Sequence, residues 1–517
     1  YPWVHKPGGD IYLQHGLDPG DLETPVIFDR LGAGHVHGLD LSWDADRVVL
    51  GYARQPDWPP PWDPEAGNHV LLLRAQQEPT HIFEMRHDGS GLKQLTDLPY
   101  WSELEPTYCA NGDVVFASGR SGRSSECGNF SADHTVINLY AVSPDGESLV
   151  VSLEVFPDCE TLCCTEKRLK EVAESKTTGR IYESLFIRHW DTWKDGRRSH
   201  LFSMPLHGGE AKDLMPGMDA DTPTKPFGGP EDYTFTPDGK GIVFAARDVG
   251  REEAWSTDFD LYHVPVDGSA PPRCLTEGNE AWDASPSFSP DGKTLAYLAM
   301  QKPRYESDRF RIVLRDWPEG KTRVLTEKWD RSPRGVSWSA DGKTIYANAD
   351  NLGQVSLFAI DVKSGKLRTV VEEGSVRSAA EAGERIVFAM DHLRSPVELY
   401  SVLPDGSDVR RITEINDEKL AAARMGEPEQ FSFKGWNDEK VHVYIVKPAD
   451  FEEGKKYPVA FLIHGGPQGS FGNDFHYRWN PQTYAGAGYA SVMVDFHGST
   501  GYGQEFTDSS TGDWGGK

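Results

Sequence analysis

The sequence predicts an all-β propeller of about seven blades over residues 1–432, followed over residues 433–517 by the truncated start of an α/β domain. Three observations carry this. A turn signal recurs at blade spacing. Near residue 435 that rhythm gives way to long apolar runs ending in glycines. The 517 residues are also rich in Gly (52), Pro (35) and aromatics (11%), a composition that suits short strands and tight turns better than a helical bundle.

The turn signal is an apolar residue, then Ser/Thr-Pro/Ala-Asp-Gly, then a β-rich run. It stands as SPDGESLVVSL from Ser143, TPDGKGIVFAAR from Thr236, SPDGKTLAYLA from Ser289 and SADGKTIYANA from Ser339. Weaker copies begin at Ser42, Cys109 and Glu381, making seven. Asp-Gly supplies the residue that tolerates positive φ, and the β-branched run behind it reads as a strand. A second signal interleaves with it: Asp-Gly turns at His87, Val266 and Pro404 lead into strands ending in Leu-Thr or Ile-Thr. Asp238, Asp291 and Asp341 are spaced by 53 and 50 residues, close to the roughly 40–50 that a four-stranded blade needs. A lone blade cannot bury both faces, and stacking blades solves the core and edge problems together.

Residues 156–199 interrupt the rhythm. A charged helical stretch from about Thr165 to Lys176 precedes the aromatic run Phe186, His189, Trp190 and Trp193, and the segment reads as an insertion at about 156–199. The first 150 residues are expected to form atypical blades.

From Lys434 the pattern changes. Residues 441–447 read as a strand. The run YPVAFLIHGGPQGS follows, apolar from Pro458 to Ile463 and stopped at His464-Gly465-Gly466-Pro467. An apolar run ended by glycines marks a central strand of an α/β sheet. A covering segment over about 476–488 and a second apolar strand from Tyr489 complete a strand–crossover–strand unit. Closing such a core needs well over 100 residues, so the sheet is expected to be incomplete at Lys517.

Charge and cysteines bound the function. With 53 Lys+Arg against 80 Asp+Glu, the net charge is −27, which repels a polyanion and excludes a nucleic-acid partner. It attracts cationic ligands such as peptides with free amino termini. No run approaches 18 apolar residues, so no membrane span is expected. The six cysteines lack zinc-site spacing. Cys159 and Cys163, clustered with Cys164, form a candidate disulfide loop, which favours a periplasmic or secreted home over the cytoplasmic alternative. No signal peptide is visible, which leaves the compartment open.

A glycine-rich turn just past a strand end can aim a backbone N–H at the oxygen of a tetrahedral intermediate, and Gly466 is the candidate donor. HGGP after such a strand points to the α/β-hydrolase fold. No G-x-S-x-G nucleophile elbow occurs anywhere in the chain, so no Ser–His–Asp triad can be assigned. His464, His497, Ser470 and Ser499 read as loop-packing residues.

The motifs RHWDTWKDGRRSHLF from Arg188, PFGGPEDYTFTPDGK from Pro226, KYPVAFLIHGGPQGSFGNDFHYRWNPQ from Lys456, HGSTGYGQEF from His497 and GDWGGK at the end resemble the prolyl-oligopeptidase clan of serine peptidases. The likeness runs from about Leu153 to Lys517 and points to bacterial dipeptidyl-peptidase V and the acylaminoacyl-peptidases. It implies a propeller over an α/β-hydrolase and a serine exopeptidase that releases dipeptides or acyl-amino acids from the amino termini of oligopeptides, without metal or other cofactor. It also implies that the triad falls after Lys517, leaving this chain inactive alone. By the same resemblance Gly466 matches the oxyanion-hole glycine. Glu231 matches an acidic residue that could anchor a substrate ammonium, with Asp232 as alternate. Arg478 could hold a substrate carbonyl or the sheet's own backbone. A homodimer is a candidate assembly. The first 150 residues are more similar to other propeller proteins of the hydrazine-synthase α-subunit kind, although no CxxCH haem site occurs. The rival reading is a non-catalytic propeller that serves binding or assembly.

Overall fold

The computed structural model describes residues 147–513 except 190–191 and 206–208. Before them it describes residues 11–12, 26–28, 31, 34–42, 44–54, 79–97, 103–108, 114–118 and 140–142. The turns expected after Ser143 and Cys109, and Trp190, lie outside the described residues. Two compact units divide the chain: residues 1–16, 21–255 and 261–275 form the first, and residues 17–20, 256–260 and 276–517 the second.

The first unit holds three four-stranded antiparallel sheets. They are Gly34–Leu41/Arg47–Arg54/His81–Arg86/Lys93–Gln94, then Tyr140–Val142/Ser148–Val155/Arg198–Pro205/Lys212–Asp213, then Tyr233–Phe235/Gly241–Ala246/Asp260–Pro265/Arg273–Cys274. Leu201, Met215, Tyr233, Ile242 and Phe244 pack the second of these against the third.

The second unit begins with the sheet Asp283–Phe288/Thr294–Ala299/Arg311–Asp316/Thr322–Val324. Next come Ser337–Trp338, Thr344–Asn351, Gln354–Asp361 and Leu367–Val371. A single parallel pairing, Val355 with Ser375, joins these to Ser375–Ala382, Arg385–His392, Ser395–Val402 and Arg410–Arg411. Ile312, Ile345 and Phe358 fill one interface between sheets, and Tyr346, Leu357, Val376 and Phe388 the next. Six blade-like groups of four strands are thus seen among the described residues, together with the two-stranded pair Glu103–Tyr108/Val114–Ser118.

Both repeat signals have a physical cause. In the first, the hydroxyl of Thr236, Ser289 or Ser339 donates to the Asp two residues on, at 2.7, 2.7 and 2.8 Å. The same oxygen accepts the backbone N–H that opens the next strand, from Gly241, Thr294 and Thr344. Gly239, Gly292 and Gly342 take φ of 67–69° between them, a region that favours glycine. Ser42 and Asp44 repeat the arrangement at 2.6 Å. In the second signal, and in its looser copy EGKTRVLTE from Glu319, the closing Thr hydroxyl accepts a strand N–H: Ile82 to Thr96, Ile312 to Thr326 and Leu399 to Thr413, at 2.8–2.9 Å. Each motif satisfies backbone groups that a turn would otherwise leave bare.

In the insertion, a helix runs Leu162–Glu174, capped by Thr161. The disulfide expected between Cys159 and Cys163 is a correction: Cys159 is bonded to Cys164, with the Cα atoms 5.5 Å apart, and Cys163 is free and exposed. Successive helical residues differ by about 100° in direction, and the neighbouring position is the one turned toward Cys159. Nearby lies a buried charge network. The Arg198 guanidinium donates to Asp219 at 2.7 Å, to Asp221 at 2.9 Å and to both Glu253 oxygens, which Lys194 also holds at 2.9 Å.

The last sheet has the order Pro428–Lys434, Lys440–Val446, Ala490–Asp495, Val459–Leu462; only the final pair is parallel. The helix Pro481–Gly486 covers it through Ala485 against Tyr444, Val446 and Met493. The apolar strand expected at the sheet's centre stands at the edge of the described sheet. There Val459, Phe461 and Ile463, which share one face of the strand, are 58%, 56% and 67% exposed.

Candidate active site

The strand Val459–Leu462 delivers the HGGP turn, and the structure shows what holds it. His464 Nδ1 lies 2.8 Å from the Gly465 carbonyl. A carbonyl only accepts, so Nδ1 carries the proton and Nε2 is the acceptor. Ser499 Oγ, 2.9 Å away and fully buried, donates to that Nε2. The ring stacks on Phe496 at 4.3 Å, with Phe471 edge-on at 5.4 Å. Burial holds the imidazole below its ordinary pKa, which keeps it neutral and preserves the acceptor.

Gly466 follows with φ 131°. A Cβ there would fall 2.4 Å from the Gln468 nitrogen, so only glycine fits without a shift. Its N–H donates no hydrogen bond among the described residues.

A second tier lies behind the turn. Asp495, at the end of Ala490–Asp495, accepts the Phe471 N–H at 2.8 Å and the Tyr502 hydroxyl. Burial pushes its carboxyl up to about 7 and raises Tyr502 as well. His464 Nε2 is 3.7 Å from Asp495 Oδ1. The carboxylate thus faces the nitrogen that Ser499 already serves, and the free ring N–H is spent on Gly465, so the trio lacks the relay geometry of a catalytic triad.

The segment after the turn is pinned from several sides. Asn473 accepts the Leu393 N–H at 3.1 Å, its own N–H donates to Gly353 at 2.7 Å, and the Phe475 N–H donates to Asp391 at 2.9 Å. Between this segment and the sheet lies a cavity of about 530 Å³, walled by Phe461, Phe471, Trp479 and Tyr484, with His464 and Asp474 as polar members. Arg478 is exposed, its guanidinium 4.8 Å from the Trp479 ring centre.

Glu231 and Asp232 belong to the first unit, in the 3-10 turn Pro230–Asp232. Asp232 is buried and accepts both the N–H and the hydroxyl of Thr224, at 2.7 and 2.8 Å; burial pushes it up to about 6. Its carboxylate closes the loop, and Glu231 is the exposed one of the two. Among the described residues no group of three or more His, Cys, Asp or Glu side chains is placed to hold a metal. No helix among them is long and apolar enough to cross a membrane. The contribution of Ser499, Asp495 and Tyr502 was missed by sequence reasoning. The signal available was the polar content of the VDFHGSTGYG run itself.

Residues 475–517 match the prolyl oligopeptidase family. The chain is 37% identical over 368 residues to a probable dipeptidyl-peptidase 5 of Arthroderma benhamiae, covering 66% of this chain and 50% of that one. It is 37% identical over 369 residues to dipeptidyl-peptidase 5 of Trichophyton schoenleinii, with the same coverage. The chain spans about half the length of the curated relatives it matches. Among solved structures it is similar to acylaminoacyl peptidase of Pyrococcus horikoshii (TM-score 0.59, 18% identity, 92% of this chain and 67% of that one). It is also similar to Porphyromonas gingivalis dipeptidyl peptidase 4 (TM-score 0.57, 16% identity, 92% and 66%). With a family match over the HGSTGYG segment, relatives above one-third identity across two-thirds of its length and a shared fold, this chain is a relative of the prolyl oligopeptidase family.

Proposed function

We propose that the chain is the propeller and the first part of the α/β domain of a serine exopeptidase that releases dipeptides from the amino termini of oligopeptides. The observation that carries this is the Gly466 N–H: unbonded, just past a strand end, on a turn clamped by His464 and Ser499. In this reading it donates to the developing oxyanion, and the nucleophile, its base and the orienting carboxylate come from residues outside this sequence. Glu231 holds the substrate ammonium, and Arg478 contacts a substrate carbonyl. Residues 1–432 form a propeller of about seven blades that limits access to short or unfolded peptides, and residues 433–517 open the hydrolase domain. The names of the curated relatives support the substrate class. The Cys159–Cys164 disulfide supports an oxidising compartment such as the periplasm or the cell exterior.

The test is hydrolysis of dipeptidyl-coumarin substrates, with free and with acetylated amino termini, by the longest translated product that contains this sequence. The expected result is cleavage of the free form only, abolished by a serine-reactive phosphonate. Gly466→Ala keeps the N–H but sets a Cβ 2.4 Å from the Gln468 nitrogen, so the strained turn misaims the donor and kcat should fall by up to roughly 10²-fold with little change in KM. Failure of the phosphonate to label that product would leave the binding-module reading in its place.

A further inference from the structure

Three cysteines fall within six residues, and they are not equivalent. Cys159 and Cys164 are bonded, while Cys163, beside the bonded Cys164, is free and exposed. Both Cys163 and Cys164 lie in the first turn of the helix Leu162–Glu174. That turn is held by long bonds: Cys164 N–H to the Thr161 carbonyl at 3.1 Å and to Thr161 Oγ1 at 3.3 Å, and Thr165 N–H to the same carbonyl at 3.4 Å. The helix body is anchored separately, by the bidentate pair of Arg168 with Asp158 at 2.7 and 2.8 Å and by the Phe156 N–H on Thr165 Oγ1 at 3.2 Å. Turning Leu162–Cys164 alone by about one residue, or 100°, therefore brings Cys163 toward where Cys164 stands while Thr165 and the helix behind it stay anchored.

We propose that Cys163 is a thiol–disulfide exchange site whose partner is the neighbouring Cys159–Cys164 bond. The Cys163 thiolate attacks Cys159 Sγ. A Cys159–Cys163 bond forms, the Cys159–Cys164 bond breaks, and its electron pair leaves on Cys164, which takes up the proton that Cys163 gave up. The reaction consumes no oxidant and no reductant, and it proceeds through the thiolate as such exchanges do. Cys159 is shared by both isomers. The free thiol moves between an exposed position and a half-buried one.

The intact chain tests this by mapping where the free thiol of the 159–164 cluster is found. One sample is alkylated at once with N-ethylmaleimide. Another is held for hours at about pH 8, where thiolate is populated, and then alkylated. Both are reduced, treated with iodoacetamide, digested and sequenced by mass spectrometry. Within the cluster, maleimide on Cys163 alone at the start and on both Cys163 and Cys164 after incubation is the expected result. Maleimide confined to Cys163 after incubation overturns the proposal, as does labelling of all three. Cys164→Ser provides an independent check: it should close Cys159–Cys163 and leave neither thiol reactive, and two reactive thiols there would refute exchange.

Discussion

His464 and Ser499 share a 2.9 Å hydrogen bond across 35 residues of sequence, tying the loop after one strand of the last sheet to the loop after its parallel neighbour. The bond is partly buried, and its acceptor is a ring nitrogen whose opposite N–H is already committed to Gly465.

Ser499→Ala strands that nitrogen away from water. The penalty for a buried acceptor left unsatisfied is about 1–3 kcal/mol, and urea unfolding followed by tryptophan fluorescence should report it as an earlier midpoint. Ser499→Thr keeps the hydroxyl and should recover part of the loss. A midpoint unchanged in Ser499→Ala would mean that the bond does not form in solution.

Asp495 gives the last sheet a pH dependence of definite sign. Its folded carboxyl titrates near 7 through burial, above the roughly 3.9 of an unfolded aspartate. Between these values the folded state holds the extra proton, so stability falls as the pH rises from about 4 to 7. Asp283, pushed up to about 8 by burial, acts in the same direction. Asp495→Asn keeps an acceptor for the Phe471 N–H and should flatten the decline by a few kcal/mol, read as unfolding midpoints across that range. A decline equally steep in the variant would place the titration elsewhere.

Glu253 works in the opposite sense in the first unit. Burial alone would raise it, but hydrogen bonds from Arg198 and Lys194 bring it down to about 2. The stability it contributes is present above the ordinary glutamate range near 4.5 and is lost as the pH falls toward 2. Glu253→Gln removes a charge that compensates the buried Arg198 and should cost about 3–5 kcal/mol, the range for breaking a buried pair from one side. Thermal unfolding by calorimetry should show that loss in the transition of the first unit and leave the other near its original position.

The repeat was legible because its cause is local: Thr236, Asp238 and Gly241 lie within six residues, and so do Ser289, Asp291 and Thr294. The strands Lys440–Val446 and Val459–Leu462 were legible from their apolar runs. The His464 site was not, because Phe471, Asp495, Phe496, Ser499 and Tyr502 reach it only once the sheet has formed. Nothing in the spacing marked Ser499 as more than a loop residue. The cysteine pairing hinged on which way one residue of a helix faces, a choice that three clustered cysteines leave open. Asp232 stood in the sequence as the alternate anchor for a substrate ammonium, yet the Thr224 hydroxyl eight residues earlier draws it inside.

One feature of the second unit governs how that unit yields. The lone Val355–Ser375 bridge makes two neighbouring blades a single continuous fabric of hydrogen bonds. A tear that starts in either half has no seam at which to stop, so amide protection in Gln354–Asp361 and Ser375–Ala382 should vanish together as one opening event.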